Sequence, residues 1–355
     1  MWMIPLTISF YRETQLIDTQ RFVFNEKSMD ISLPDGVTAY KLNFEQSGFY
    51  RVIYEKKNLH ALGKLVKQKV LSPRDRYGLH NNLYAFVRSE DYSIDDYLDF
   101  MEYFTEEDNY LPLVAMSANL VHAFQVVESR RERISAIGFK AFYKVLEHIG
   151  YEPKEDEPHQ VTNLRSSLLI SSYLFNDEGV AEFGLQKFNE YLEGKSVHPD
   201  LLSSIMRIGA AQVPSSFAIL IKKLESADIP EPETINILRA IGSFEDKDLQ
   251  LKALDYVIEK VPSKNKIFPI MISARNLFVV DHLWEWFKKN IVELEELHPM
   301  HLEGVISNIV SVAGLNNPDE VKAYLEGYMQ KNDKVKDTIK MTLERLAINS
   351  RLRAS

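Results

Sequence analysis

The stretch Leu42-Asn43-Phe44-Glu45-Gln46-Ser47-Gly48-Phe49-Tyr50-Arg51-Val52-Ile53-Tyr54 divides the chain into two kinds of sequence. Before it, apolar and polar residues alternate. Ile4, Leu6, Ile8 and Phe10 fall on one face, which is the period of a strand, where successive side chains point to opposite sides. Inside the stretch, Phe49, Arg51 and Ile53 oppose Tyr50, Val52 and Tyr54, which predicts one more strand. Turn signals at Asn25-Glu26-Lys27 and Pro34-Asp35-Gly36 separate these runs. Residues 1–55 therefore predict about four or five short antiparallel strands, fewer than the seven or so of a self-sufficient sandwich. The expectation is a partial β-sandwich with an exposed edge that can pair with another chain.

After the stretch the period changes from 2 to 3.6. Leu59, Leu62, Leu65, Val66 and Val70 form an apolar stripe, and Ser72-Pro73-Arg74-Asp75 sets a capping serine before a first-turn proline. Ser93-Ile94-Asp95-Asp96, His198-Pro199 and Asn317-Pro318-Asp319-Glu320 open further helices in the same way. Residues 56–355 predict about fifteen helices joined by short breaks. Short breaks make neighbours antiparallel, and a long array of such hairpins curves into a HEAT/ARM-like α-solenoid, a superhelical bowl. No fixed-period sequence signature accompanies it. The polar interruption from Gly150 to His159 reads as a solvated connection between helices.

A net charge of −9 argues against nucleic-acid binding, which needs a basic stripe to displace counterions. No run of apolar residues is long enough for a membrane span, and the start of the sequence lacks the basic, apolar and small-residue regions of a secretory signal. The expected location is the cytoplasm. With no cysteine in the chain, thiolate catalysis, disulfides and thiolate metal sites are excluded.

Catalytic motifs are equally absent. There is no His-Glu-x-x-His, Gly-x-Ser-x-Gly, Walker loop or Gly-x-Gly-x-x-Gly. His298 and His301 stand three apart, a spacing that can present two ligands, and Glu303 follows, but no third ligand comes in a recognisable order. The expectation is that this chain has no catalytic residue and no metal site.

Several elements together carry a family resemblance: Trp2-x-Ile4-Pro5-Leu6, the run Asn43 to Val52, Leu71-Ser72-Pro73-Arg74-Asp75-Arg76, Leu238-Arg239-Ala240-Ile241-Gly242, and Leu283-Trp284-Glu285-Trp286-Phe287-Lys288-Lys289-Asn290. They resemble the third and fourth domains of the M1-family zinc aminopeptidases, and most of all the archaeal tricorn-interacting factors. The resemblance implies the carboxy-terminal part of an enzyme that trims amino-terminal residues from short peptides. Residues 1–55 are then part of a β-sandwich spacer, and residues 56–355 a helical domain that encloses the active-site chamber. Zinc belongs to a catalytic domain outside this chain. The implied partners are that catalytic domain, peptide substrates and, by analogy, the tricorn protease.

Arg275 and Asn276 are the candidate peptide-binding residues. The resemblance matches Arg275 to an arginine that holds the far end of a bound peptide, and a guanidinium fork suits a terminal carboxylate. The plainer reading is that Arg275 caps its helix and ties adjacent repeats together. Where antigen-trimming relatives carry a Tyr-Lys pair in contact with peptide, the alignment puts Phe124 and Gln125, so that basic contact is missing. Arg76, Arg165, Arg207 and Arg239 sit among apolar positions and either face a cavity or pair with acids between helices. A free-standing HEAT-like adaptor is the alternative from another functional class.

Overall fold

In a computed structural model that describes residues 3–226 and 228–355, the chain is mainly helical, with a small three-stranded antiparallel sheet near its start. Trp2, named in the first element of the resemblance, lies outside the described residues. The helices and strands gather into two compact units. One comprises residues 1–121 and 132–148, the other residues 122–131 and 149–355. The units therefore do not follow the change from strand to helix.

The first unit begins with β1 (Ile4–Arg12), β2 (Gln15–Phe24) and β3 (Ala39–Leu42), in the order β2-β1-β3. β1 pairs with both neighbours, Ile8 lying opposite Gln20 on one side and Leu42 on the other. The helices that follow are α1 (Lys56–Lys67), α2 (Pro73–Arg88), α3 (Ile94–Met101), α4 (Tyr110–Val126), whose last residues from His122 on belong to the second unit, and α5 (Arg131–Ile149), whose two end residues do so too. The sheet has three strands among the described residues rather than four or five, and the strand predicted over residues 49–54 does not form. The reason is that its partner positions are taken. β3's outer edge is closed by side chains: the Asn58 carboxamide bonds both the N–H and the C=O of Tyr40 (3.1 and 2.8 Å), and the Tyr54 hydroxyl bonds both groups of Leu42 (3.0 and 3.3 Å). Tyr54 thus pairs with β3 through its side chain, and that edge offers no ladder to another chain.

The decisive stretch becomes a tight turn between β3 and α1. Asn43, Glu45 and Gln46 all have positive φ, near 55°, 59° and 52°, which costs about 1–3 kcal/mol at each non-glycine position unless the surroundings enforce it. They are enforced. The Asn43 side chain accepts from Gly48 N (2.7 Å) and donates to the carbonyls of Gly48 and Tyr50 (2.9 and 3.2 Å). Glu45 N donates to Asp75 on α2 at 2.9 Å, and the same carboxylate pairs with Lys41 of β3 at 3.0 Å. Both charged groups are buried, so desolvation draws the Lys41 pKa down and pushes that of Asp75 up, against their mutual attraction. Lys41 spends its other hydrogens on the carbonyls of Leu42 and Asn43 (2.7 and 3.1 Å). Sheet, turn and α2 are thereby bound by one buried pair.

Capping follows the sequence. Ser72 accepts from Asp75 N, with Pro73 at the first helical position, and Ser93 and Asp96 form a reciprocal capping box. Leu59, Leu62, Leu65 and Val66 of α1 are buried as the stripe requires. Arg76 makes a two-toothed pair with Glu107 (2.6 and 2.7 Å), both buried. His80 is enclosed, with its ring edge-on to Phe104 at 5.2 Å, and burial lowers its pKa to about 3.

The second unit holds α6 (His159–Leu174), α7 (Glu178–Leu192), α8 (Pro199–Gln212), α9 (Phe217–Leu224), α10 (Glu231–Ile241) and α11 (Lys247–Lys260). It continues with α12 (Ile267–Ser273), α13 (Val280–Lys289), α14 (Ile291–Leu294), α15 (Pro299–Ala313), α16 (Pro318–Met329) and α17 (Lys336–Ala354). Alternate helices touch: α6 packs on α8, α8 on α10, α10 on α12, α12 on α15 and α15 on α17, with α7, α9, α11, α13 and α16 each set against a member of that series. Arg207 bonds Ser243 and Arg239 bonds Ser203, both pairs 36 residues apart, so α8 and α10 run parallel. Arg345 with Ser307 and Asn349 with Ser311, both 38 apart, show the same for α15 and α17. The connection from Gly150 to His159 is pinned rather than loose, because buried Arg165 grips both oxygens of Glu157 and the carbonyls of Gly150 and Ile149. No single helix among the described residues is long and apolar enough to cross a membrane.

Two outcomes follow for stability. Asp75→Asn leaves the buried Lys41 charge uncompensated and is expected to cost about 3–5 kcal/mol in a urea titration, whereas Lys41→Met with Asp75→Leu recovers most of it. The hydrogen bonds from Arg165 hold Glu157 at about 2, below its ordinary 4.5. Its contribution is complete above pH 4.5 and is withdrawn as pH falls through 2. Glu157→Gln should flatten that part of the acid-unfolding curve.

Candidate functional site

Three arginines of the second unit converge on one place. Arg207 lies on α8, Arg239 on α10 and Arg275 in the turn after α12. In-register packing of α8, α10 and α12 brings them together, and the charges of Arg275 and Arg239 act on Arg207. Desolvation first, and then these two neighbouring cations, lower the Arg207 pKa from 12.5 to about 10.

None of the three is ion-paired with a carboxylate among the described residues. Arg207 Nε reaches the Ser243 hydroxyl at 3.4 Å, Arg239 Nη1 reaches the Ser203 hydroxyl at 3.4 Å, and the Arg239 guanidinium lies 5.5 Å from the Phe268 ring centre. Arg275 is exposed, and its guanidinium has no hydrogen-bond or ion-pair partner among the described residues. Thus the four arginines singled out in the sequence divide evenly: Arg76 and Arg165 are neutralised by buried carboxylates, and Arg207 and Arg239 are not.

Gly242 makes the approach possible. A Cβ there would stand 2.7 Å from the carbonyl oxygen of Pro269 on α12, so only glycine lets the end of α10 lie against that helix. Asn276 then locks the turn. Its Nδ2 donates to the carbonyls of Phe244 (2.7 Å) and Gly242 (3.5 Å), while its Oδ1 accepts from Phe278 N (3.0 Å). The polar atoms of Asn276 are thus occupied within the fold, and it acts by holding Arg275 in place. Gln125, 150 residues away, donates to the Arg275 carbonyl at 3.1 Å. The two positions that the resemblance tied to peptide contact are therefore adjacent. Phe124 packs edge-on against Phe175 at 5.7 Å.

The remaining candidates are structural. His298 caps α15 by accepting from Met300 N (3.3 Å), with the ring of His301 5.8 Å away. No group of three or more His, Asp or Glu able to hold a metal ion occurs among the described residues, so these residues do not fit a zinc site. The tryptophan segment builds core: Trp284, Trp286 and Phe287 are buried, and Trp284 Nε1 bonds Glu320 of α16. In the first unit, clefts of about 420 and 340 Å³ flank Phe44 and Glu45, but the arginine lining the larger one, Arg76, is already neutralised by Glu107. The arginine cluster is where uncompensated charge accumulates.

The chain belongs to the ERAP1-like C-terminal domain family, which matches residues 39–348. It is the carboxy-terminal region of an M1 aminopeptidase-like protein. Aminopeptidase M1-D of Oryza sativa subsp. japonica is 23% identical over 380 positions, covering 99% of this chain and 42% of that protein. Aminopeptidase 2 of Candida albicans is 23% identical over 88% of this chain and 35% of its own length. The puromycin-sensitive aminopeptidase of Caenorhabditis elegans is 23% identical over 97% of this chain and 37% of its own length. The chain thus spans about two fifths of the relatives it matches.

Gly242→Ala is expected to cost about 1–3 kcal/mol by forcing α10 and α12 apart. Arg207→Met, which removes a crowded cation, should instead leave the thermal midpoint unchanged or raise it by a few degrees.

Proposed function

We propose that this chain is the carboxy-terminal part of a zinc aminopeptidase that trims amino-terminal residues from short peptides, such as the products of tricorn or proteasome cleavage in the cytoplasm. Zinc and the bond-breaking residues belong to a catalytic domain that partners this region. The helices act as a HEAT-like solenoid that encloses the peptide chamber and admits only short or unfolded chains. Family membership supports this, as does the parallel, in-register packing of alternate helices.

The observation that carries the peptide-binding part is the meeting of Gln125 and Arg275 across 150 residues, with Arg275 offering an unpaired guanidinium. A guanidinium fork matches a carboxylate, and contacts remote from the scissile bond position a substrate without taking part in chemistry. Arg275 is the contact and Asn276 its positioning residue.

In the full-length parent, Arg275→Ala should weaken peptides with a free carboxy-terminus about tenfold, or 1.4 kcal/mol, relative to their amides. Equal losses for acids and amides would leave Arg275 a packing role only. The 355-residue chain alone should release no amino acid from a chromogenic aminopeptidase substrate; zinc-dependent release would refute the division of labour.

A further inference from the structure

We propose that Arg207, Arg239 and Arg275 form a single anion pocket that selects peptides whose last residue is aspartate or glutamate. This rests on the reading that the helical array holds the far end of a peptide, and it adds a specificity that one arginine could not supply.

The two fully buried arginines are neutralised by carboxylates. Arg76 has Glu107, Arg165 has Glu157, and even half-exposed Arg133 has both Asp95 and Asp99. Acid is not scarce, with 51 Asp and Glu against 42 Lys and Arg in the chain. Arg207 and Arg239, half-buried with serine hydroxyls and the Phe268 ring beside them and no carboxylate, depart from that pattern, since charge removed from water is ordinarily paired, and exposed Arg275 adds a third cation next to them. The acid nearest in sequence to Ser243, Glu245, does not serve them. It accepts a hydrogen bond from Tyr173 at 2.9 Å, and burial raises its pKa with no arginine lowering it.

The missing partner is thus a ligand, and its charge can be judged. A terminal carboxylate satisfies one fork and leaves two cations still repelling. A carboxy-terminal Asp or Glu brings a second carboxylate a few bonds away, so that two anions meet three forks and the crowding on Arg207 is relieved. Ser203 keeps a hydroxyl proton that can donate to a carboxylate oxygen not taken by arginine, whereas Ser243 donates its own to the carbonyl of Arg239 (3.1 Å). Bidentate pairing in a partly desolvated place is the geometry in which arginine discriminates between a carboxylate and its neutral amide isostere.

The test uses the purified 355-residue chain and fluorescently labelled nine-residue peptides identical except at the last position: Glu, Gln, or Glu with an amidated terminus. Binding is read by anisotropy at physiological salt. The Glu peptide should bind at least fivefold more tightly than the Gln peptide, with the amidated form in between. Arg207→Gln and Arg239→Gln should each reduce the Glu-over-Gln ratio below about two, while Arg207→Lys keeps part of it. Circular dichroism verifies that the variants are folded, and the wild-type ratio needs no variant at all. Equal affinity for Glu and Gln peptides, with a loss on amidation, overturns this inference and leaves the carboxylate-holding role of Arg275 intact. Absence of binding by every peptide overturns both.

Discussion

Parallel stacking of alternate helices is the constraint from which the second unit and its site follow. When α8 and α10 lie side by side in one register, any residue on the first meets one 36 positions later on the second. That rule pairs serine with arginine twice between α8 and α10, and the same geometry 38 residues apart joins α15 to α17. In this register Arg207 and Arg239 each stand opposite a serine 36 residues away, and Arg275 joins them from the turn after α12. The mutual repulsion of the three is a direct cost of the arrangement. Gly242 and Asn276 bear on that cost, the first by allowing α12 to approach and the second by fixing the turn that carries Arg275.

The first unit pairs its buried charges. Lys41 and Asp75 are buried together, and the three strained residues at the turn are held by the same carboxylate and by one asparagine side chain. A buried pair of this kind adds little net stability, yet removing one partner is expensive, so it specifies a single arrangement of sheet and helix. The same holds for Arg76 with Glu107. Where carboxylates are supplied, as for Arg76 and for Arg165 of the second unit, the cation is neutralised within the fold; beside Arg207 and Arg239 none is supplied.

Much of this was legible from local patterns. The serine and proline before α2, the capping box before α3 and the stripe on α1 depend only on neighbours within a turn or two, and they appear where the sequence put them. The alternation over residues 49–54 misled for a physical reason. A strand is defined by its partner, and the partner edge had been taken by Asn58 and by the hydroxyl of Tyr54 itself. The parallel stacking of helices left no fixed-period signature in the sequence, because stacking asks for apolar faces and compatible sizes rather than for identical residues.

The sequence by itself determined the helical content, the positions of most helix starts, the absence of the common catalytic motifs and the family. The helices rest on short-range spacing, which tertiary contacts do not alter, and the family rests on the resemblance that the run from Asn43 to Val52 and its companion motifs carry. Only the tertiary structure decided which arginines are neutralised and which are left charged. Arg76, Arg165, Arg207 and Arg239 look alike along the chain, but an ion pair depends on what folding brings within reach, across 8 residues for Arg165 and 31 for Arg76. Likewise, nothing in the linear order of Gln125 and Arg275 shows that they touch. Distance in space, set by packing, turned an ordinary scatter of cations into a cluster.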